Sequence, residues 1–84
     1  MGRASRPKPV KLAEKLKQIR LSLNLSQTEM LINLGYSTDK KEFRSIISAY
    51  EIGKREPTLI DLLKYARIAC VSVEVLIDDE LDLP

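Results

Sequence analysis

The chain has 84 residues, 44% apolar and 31% charged, a balance typical of one small globular domain whose compact local packing argues against a large catalytic cleft. It has no histidine and one cysteine, Cys70, which excludes an internal disulfide, a His-assisted nucleophile and a Cys/His zinc site, and no cofactor is expected. The net charge of +2 conceals an uneven distribution: residues 1–20 carry seven basic residues and one acidic residue, whereas residues 74–84 carry five acidic residues and no basic residue. This distribution indicates an anionic partner or simply two solvated termini.

Residues 1–9 hold two prolines, a glycine and three basic residues, so a flexible basic N-terminal arm is predicted there. From residue 10 to 23 apolar residues recur at helical spacing, which predicts the first helix. Its buried stripe is predicted to be Leu12, Leu16, Ile19 and Leu23, and its outward-facing lysines to be Lys11, Lys15 and Lys17.

A capping box predicts the start of the second helix. The Ser26 hydroxyl can accept an early helical N–H while Glu29 reaches back to the serine backbone. Gly35 follows the last apolar position, where a left-handed residue without a Cβ is needed, so the helix is expected to end there. Its apolar residues are Met30, Leu31 and Leu34.

A turn is predicted from Tyr36 to Asp39, followed by a third helix that ends before Gly53. The apolar positions of this helix stand at i, i+3, i+4 and i+7 and are Phe43, Ile46, Ile47 and Tyr50. Successive residues on a helix are 100° apart, so the opposite face is small, polar and basic. That face carries Lys41, Ser45 and Ser48, with Arg44 at its edge.

Two further helices complete the predicted all-α fold. Thr58 caps the fourth helix, and Ser72 caps a short fifth helix. The expected apolar positions are Leu59, Leu62, Leu63, Ala66 and Ala69 in the fourth helix and Val73, Leu76 and Ile77 in the fifth. Alternating valines at 71, 73 and 75 also fit a strand, but such a strand would have no partner. The domain is expected to occupy residues 10–78, followed by an acidic C-terminal tail at 79–84.

Leu12 to Ile77 resembles the Cro/cI-type (xenobiotic response element, XRE) helix-turn-helix regulators, a family with compact five-helix lambda repressor-like DNA-binding domains. The most specific features are the Ser26-Gln27 start of the second helix and the run from Gly53 to Pro57. The other matching residues are Leu16, Arg20, Leu25, Gly35, Ile47, Ser48, Tyr50, Glu51, Leu62, Leu63, Ala66, Val71 and Ser72.

The resemblance implies that the second helix bridges the DNA backbone and that the third, the recognition helix, enters the major groove. The residues expected to read bases are Gln27, Lys41, Arg44, Ser45, Ser48 and Ala49. Those expected to contact phosphate are Ser26, Lys40, Lys54 and Arg55, with Arg3 and Arg6 in the arm unless the arm is an untethered tail. Arg20 and Glu51 match a structural pair that links the first helix to the third, although two unrelated exposed charges are the alternative.

The chain departs from the family at about six extra residues around 38–43. They either lengthen the turn or extend the start of the third helix, in which case Lys40 and Lys41 project toward the DNA. Ile52 stands where a polar residue that contacts phosphate is common. Cys70 replaces the glycine that usually ends the fourth helix, and it is expected to be a small buried residue rather than a redox switch.

The function expected from this resemblance is sequence-specific binding of double-stranded DNA by a transcriptional regulator, a repressor acting as a homodimer on an inverted repeat. The expected dimer interface is Val73, Leu76, Ile77 and Leu81, unless these residues cover the monomer core. The alternative is a protein-interaction module, such as an antitoxin-type partner with secondary DNA binding, and an enzyme is the least favoured class.

No apolar run approaches the ~18 residues of a membrane span, so a cytoplasmic, nucleoid-associated protein without a membrane partner is expected.

Overall fold

The structure is a computed structural model that describes residues 8–84, so the arm positions Arg3 and Arg6 lie outside the described residues. Within this range the chain forms five α-helices and a short 3-10 helix, with no strand. The α-helices are α1 (Leu12–Ser22), α2 (Gln27–Asn33), α3 (Ile46–Glu51), α4 (Leu59–Ala69) and α5 (Val73–Ile77), and the 3-10 helix spans Lys41–Phe43. The predicted all-α fold class with five helices is confirmed. The alternative of a strand through the valines at 71, 73 and 75 is wrong, because α5 contains the last two and residues 8–84 form no strand.

Each of α1 to α4 ends at a residue with a left-handed backbone conformation. At the end of α2, Gly35 has φ +91°, its N–H donates to the Ile32 carbonyl at 2.9 Å, and the Tyr36 N–H donates to Leu31 at 3.2 Å. This pair of bonds is the Schellman motif, which satisfies carbonyls that have no partner within the helix. The left-handed residues of the four helices are Asn24, Gly35, Gly53 and Cys70.

Two of the three predicted side-chain caps form. Ser26 Oγ accepts the Glu29 N–H at 3.0 Å, and Glu29 Oε1 accepts the Ser26 N–H at 2.8 Å, which completes the capping box. Thr58 Oγ1 accepts the Asp61 N–H at 3.1 Å at the start of α4. Ser72 precedes α5 as predicted, but its side chain makes no capping hydrogen bond.

The core lies where α1 packs against α3, α4 and α5, and where α2 packs against α3. Its buried apolar residues are Leu12, Leu16, Ile19, Met30, Leu31, Leu34, Ile46, Ile47, Tyr50, Leu62, Tyr65, Ala66 and Leu76. Two predicted core positions are exposed instead, Leu23 by 41% and Leu59 by 83%, since each lies near the end of its helix. Tyr65 is completely buried and was not predicted, because tyrosine carries a polar group that often remains in contact with water.

Lys15 differs from the prediction, and it connects α1 to the C-terminal segment. Lys15, expected to face outward, is 4% exposed and donates to the carbonyl oxygens of Val75 at 2.8 Å, Asp78 at 2.9 Å and Leu81 at 2.7 Å. Asp79 accepts the backbone N–H groups of residues 10 and 11, both at 2.9 Å. Asp79 and Leu81 of the acidic C-terminal segment are therefore bound to α1 and to the two residues before it.

The extra residues around 38–43 form a turn and the 3-10 helix, and they do not extend α3. Phe43, predicted as the first apolar position of the third helix, precedes α3 by three residues. Its ring packs on Tyr36 with ring centroids 5.0 Å apart, and the Lys40 ammonium lies 6.0 Å from its centroid. These contacts hold the inserted segment against the end of α2.

Candidate nucleic-acid interface

A shallow cavity of about 390 Å³ lies beside α3 and is called here the α3 cavity. Its lining residues are Ser45, Ser48, Ala49, Ile52, Lys54 and Arg55. It combines two hydroxyl groups and two aliphatic side chains with two exposed cationic residues on the following loop. Three of the six predicted base-reading residues and two of the predicted phosphate-contacting residues thus share one surface.

The loop that carries the two cations is fixed to the end of α3 by backbone hydrogen bonds. Gly53, with φ +76°, allows the chain to reverse, a conformation that costs other residues free energy. The N–H groups of Lys54 and Arg55 both donate to the Ala49 carbonyl, at 3.0 and 3.2 Å. The two side chains therefore start from a defined position beside the helix rather than from a mobile linker.

Arg44 and Ser45 occupy the junction between the 3-10 helix and α3. Arg44 is exposed, and its N–H donates to the Lys41 carbonyl at 3.1 Å. Ser45 precedes the first residue of α3 and makes no side-chain capping bond, while its carbonyl accepts the Ala49 N–H at 2.9 Å. Ser45 lines the α3 cavity, whereas Arg44, which immediately precedes it in the chain, is not among the lining residues.

Arg20 and Glu51 form the link between α1 and α3 that the resemblance implies. Arg20 Nε and Nη2 donate to the two carboxylate oxygens of Glu51 at 2.6 and 3.0 Å, and Nη1 donates to the Leu25 carbonyl at 2.9 Å. This hydrogen bonding raises the pKa of the Arg20 guanidinium above its ordinary value, although burial opposes the charge. The pair ties the end of α3 to α1 and to the loop before α2.

Gln27 is exposed, but its amide nitrogen donates to Glu51 Oε1 at 3.2 Å. The start of α2 is thereby connected to the end of α3. The amide retains its carbonyl oxygen and a second N–H for a ligand, because an amide group has two donors and an acceptor. Gln27 therefore helps to position α3 and keeps polar groups available for a ligand.

The remaining predicted contact residues do not line the α3 cavity. Ser26 is exposed, and its hydroxyl and N–H already serve the capping box. Lys40 lies over Phe43, and Lys41 is exposed at the start of the 3-10 helix. These lysines add positive charge on the inserted segment, at a place separate from the lining of the cavity.

A buried carboxylate in the first turn of α4, Asp61, also positions α3. Asp61 Oδ2 accepts the hydroxyl protons of Tyr36 and Tyr50, both at 2.7 Å, and the aspartate is 2% exposed. Burial and the bond to Asp61 raise the pKa of both tyrosine hydroxyls. This network joins α3 and α4 to the segment after α2, and the sequence signal for it is an acidic residue beside a buried apolar stripe.

The predicted dimer interface is divided between the core and the surface. Leu76 is completely buried within the monomer, so it supports the core and is not available to a second copy. Val73 is half-buried, whereas Ile77 and Leu81 are 45% and 37% exposed. A second groove of about 480 Å³, called here the α4–α5 groove, is lined by Lys8, Pro9, Leu12, Glu56, Leu59, Leu62, Val73, Ile77 and Asp79.

Cys70 is exposed, which corrects the expectation that it is buried. It occupies the left-handed C-cap position of α4. Residues 8–84 contain no group of three or more acidic or cysteine side chains arranged to hold a metal ion. In the same range, no helix has the length and apolar character required to cross a membrane.

Comparison with known proteins returned no matching family model, no matching curated protein and no matching solved structure.

Proposed function

We propose that this protein is a sequence-specific regulator of transcription that binds double-stranded DNA and represses by occupying promoter sites. The observation that carries the proposal is the α3 cavity, where small hydroxyl side chains and aliphatic groups lie beside two exposed cations. Base edges are recognised by short polar and apolar side chains, whereas phosphates are bound by lysine and arginine. Both kinds of group are present on one surface.

The proposed mechanism divides contacts between affinity and specificity. Lys54 and Arg55 contact backbone phosphates, and their position at the end of α3 sets the register of the helix on the duplex. Arg44 donates two hydrogen bonds to O6 and N7 of a guanine, while Ser45 and Ser48 contact neighbouring base edges. Because the phosphate backbone is charged, the contacts of Lys54 and Arg55 should weaken as the salt concentration rises.

The interactions around α3 suit this role because base readout requires a recognition element with a fixed position. Glu51 is held by Arg20 and Gln27, and Tyr50 is held by Asp61. These bonds restrain the last turn of α3 from two sides. A short helix of six residues would have little stability by itself, so the tertiary contacts supply the rigidity.

A homodimer is part of the proposal, because one module offers few base contacts and two modules reach half-sites about 34 Å apart. The exposed Ile77 and Leu81 are the proposed contact residues. Ile77→Asp should shift the protein toward the monomer, as measured by sedimentation velocity. Leu21→Asp, on an exposed leucine of α1, is the matched control and should leave the oligomeric state unchanged.

Selection of bound duplexes from a random library at about 0.15 M salt tests DNA recognition, because phosphate attraction alone is weakened at that salt concentration. A recovered inverted repeat supports the proposal. Arg44→Ala should then relax the preference at one base pair by about 1–3 kcal/mol. Arg67→Ala, on an exposed arginine of α4, is the matched control. Recovery of no motif, with binding lost as salt rises, would overturn specific recognition.

Lys54→Ala gives an independent measure of the phosphate contacts. It should weaken binding to all sequences alike and reduce the slope of log K against log salt by about 0.9 for each phosphate that the protein no longer neutralises. The control is Lys17→Ala, an exposed lysine on α1. A slope that Lys54→Ala leaves unchanged would remove this residue from the interface.

A protein-interaction module is the second candidate, favoured by the α4–α5 groove and its exposed apolar rim. Leu59 is 83% exposed, and the adjacent Ile60 is 60% exposed. Exposed apolar surface of this kind is typical of protein contact sites. Loss of the biological effect in Leu59→Asp, with none in Arg44→Ala, would favour this function over DNA binding.

A further inference from the structure

Ile52 presents a large aliphatic side chain to solvent inside a surface whose other residues, apart from Ala49, are polar or basic. It follows the last residue of α3, lines the α3 cavity with Ser48 and Ala49, and is 70% exposed. Its N–H donates to the Ser48 carbonyl at 3.1 Å, so its backbone is held by the helix. An isolated exposed isoleucine needs no explanation by itself, but this one lies within the proposed DNA contact surface.

The aliphatic side chain of Ile52 favours contact with an apolar group of DNA over contact with a phosphate. The isoleucine side chain has no hydrogen-bond donor, so its contact with a phosphate would remove water from the charge without replacing the lost hydrogen bonds. The major-groove edge of thymine carries a 5-methyl group, which is the apolar group that protein side chains recognise there. Ala49 lines the same cavity, and its methyl group adds to the apolar surface that Ile52 provides.

The side chain is also suited to this contact by its stiffness. Isoleucine is branched at Cβ, which restricts its first torsion angle before any ligand binds. Little conformational entropy is therefore lost when the side chain is ordered by a base. The neighbouring Lys54 and Arg55 supply the phosphate contacts that an isoleucine cannot make.

We propose that Ile52 is a specificity-determining residue that, with Ala49, selects a thymine in each half-site through its 5-methyl group. This inference rests on the proposed function and adds the identity of one recognised base.

The test replaces single thymines by deoxyuridine in the duplex recovered by selection, which removes the methyl group and keeps every hydrogen-bonding group. At one thymine of a half-site, the wild type should lose about fourfold in affinity, equivalent to ~0.8 kcal/mol for one buried methyl. Ile52→Ala should bind the thymine duplex more weakly and lose most of the difference between thymine and uracil. Ile60→Ala, on an exposed isoleucine of α4, should retain the wild-type difference.

The outcomes separate this inference from the function on which it rests. Equal weakening of Ile52→Ala on thymine and uracil duplexes, or no weakening at all, would overturn the role of Ile52 while leaving DNA recognition intact. Recovery of no duplex in the selection would overturn the proposed function and this inference together. Coupling between Ile52 and one thymine methyl would support both.

Discussion

Arg20 and Glu51, 31 residues apart in sequence, form a bidentate ion pair with N–O distances of 2.6 and 3.0 Å. Their side chains are 11% and 3% exposed, so water provides little solvation for either charge. The pair connects α1, near the basic end of the chain, to the last turn of α3. Its contribution differs from that of an exposed ion pair, because the loss of one partner leaves the other charge buried.

We expect Glu51→Ala to lower the free energy of unfolding by about 3–5 kcal/mol, because Arg20 would keep its charge without a carboxylate. The double variant Arg20→Met with Glu51→Leu should recover most of this loss. Urea unfolding at neutral pH measures both. A double variant as unstable as the single one would show that the packing around the pair, rather than the buried charge, determines the loss.

Lys15 anchors the C-terminal segment to α1. We expect Lys15→Met to lower the free energy of unfolding by about 2–3 kcal/mol, because three carbonyl oxygens lose a charged donor. Amide hydrogen exchange in residues 78–83 should accelerate in the same variant. Lys17→Met is the matched control, since Lys17 is exposed on the same helix. Equal effects of the two substitutions would contradict an anchoring role for Lys15.

Asp79 makes the stability of this attachment depend on pH. The backbone N–H groups of Val10 and Lys11 hold the pKa of its carboxyl below the ordinary value of 3.8. A carboxyl whose pKa is lower in the folded state than in the unfolded state stabilises the fold fully at pH values above the unfolded-state pKa. This stabilisation is lost as the pH falls through the folded-state pKa. Wild type should therefore exceed Asp79→Asn in stability near neutral pH and approach it below about pH 4.

Urea unfolding at several pH values measures this difference. Asp82→Asn, on an exposed aspartate of the same segment, removes the same charge and is the control. A gap between wild type and Asp79→Asn that stays constant as the solution is acidified would assign the effect of Asp79 to something other than its ionised carboxylate.

Cys70 lies in the left-handed region with φ +58° and ψ +39°, where a side chain with a Cβ is disfavoured. We expect Cys70→Gly to raise the free energy of unfolding by about 1 kcal/mol, because the relief of this strain exceeds the greater entropy of glycine in the unfolded chain. Thermal unfolding provides the measurement. Cys70→Ala keeps the Cβ and is the control, and an equal gain from alanine would point to the thiol instead of the backbone.

The positions of the helices follow from interactions within a few residues of sequence. Ser26 and Thr58 mark helix starts because each bonds to an N–H three residues later. Gly35 and Gly53 mark helix ends because glycine adopts positive φ with little cost. The spacing of Ser45 and Ser48 likewise indicated a shared surface, and in the structure both line one cavity, together with Ala49.

Contacts between segments distant in sequence decided which side chains are buried, which the spacing of residues could not predict. Lys15 has the same local pattern as its exposed neighbours, and it is buried because carbonyls 60 or more residues away surround its ammonium. Leu76 and Ile77 are adjacent apolar residues, yet tertiary packing buries the first and exposes the second. Thus the sequence by itself determined the five helical segments and most of their ends, through bonds local to the chain, whereas the start of α3 differed from the prediction. Only the tertiary structure determined which charges are paired and which apolar groups remain exposed, because those depend on what the rest of the chain places beside them.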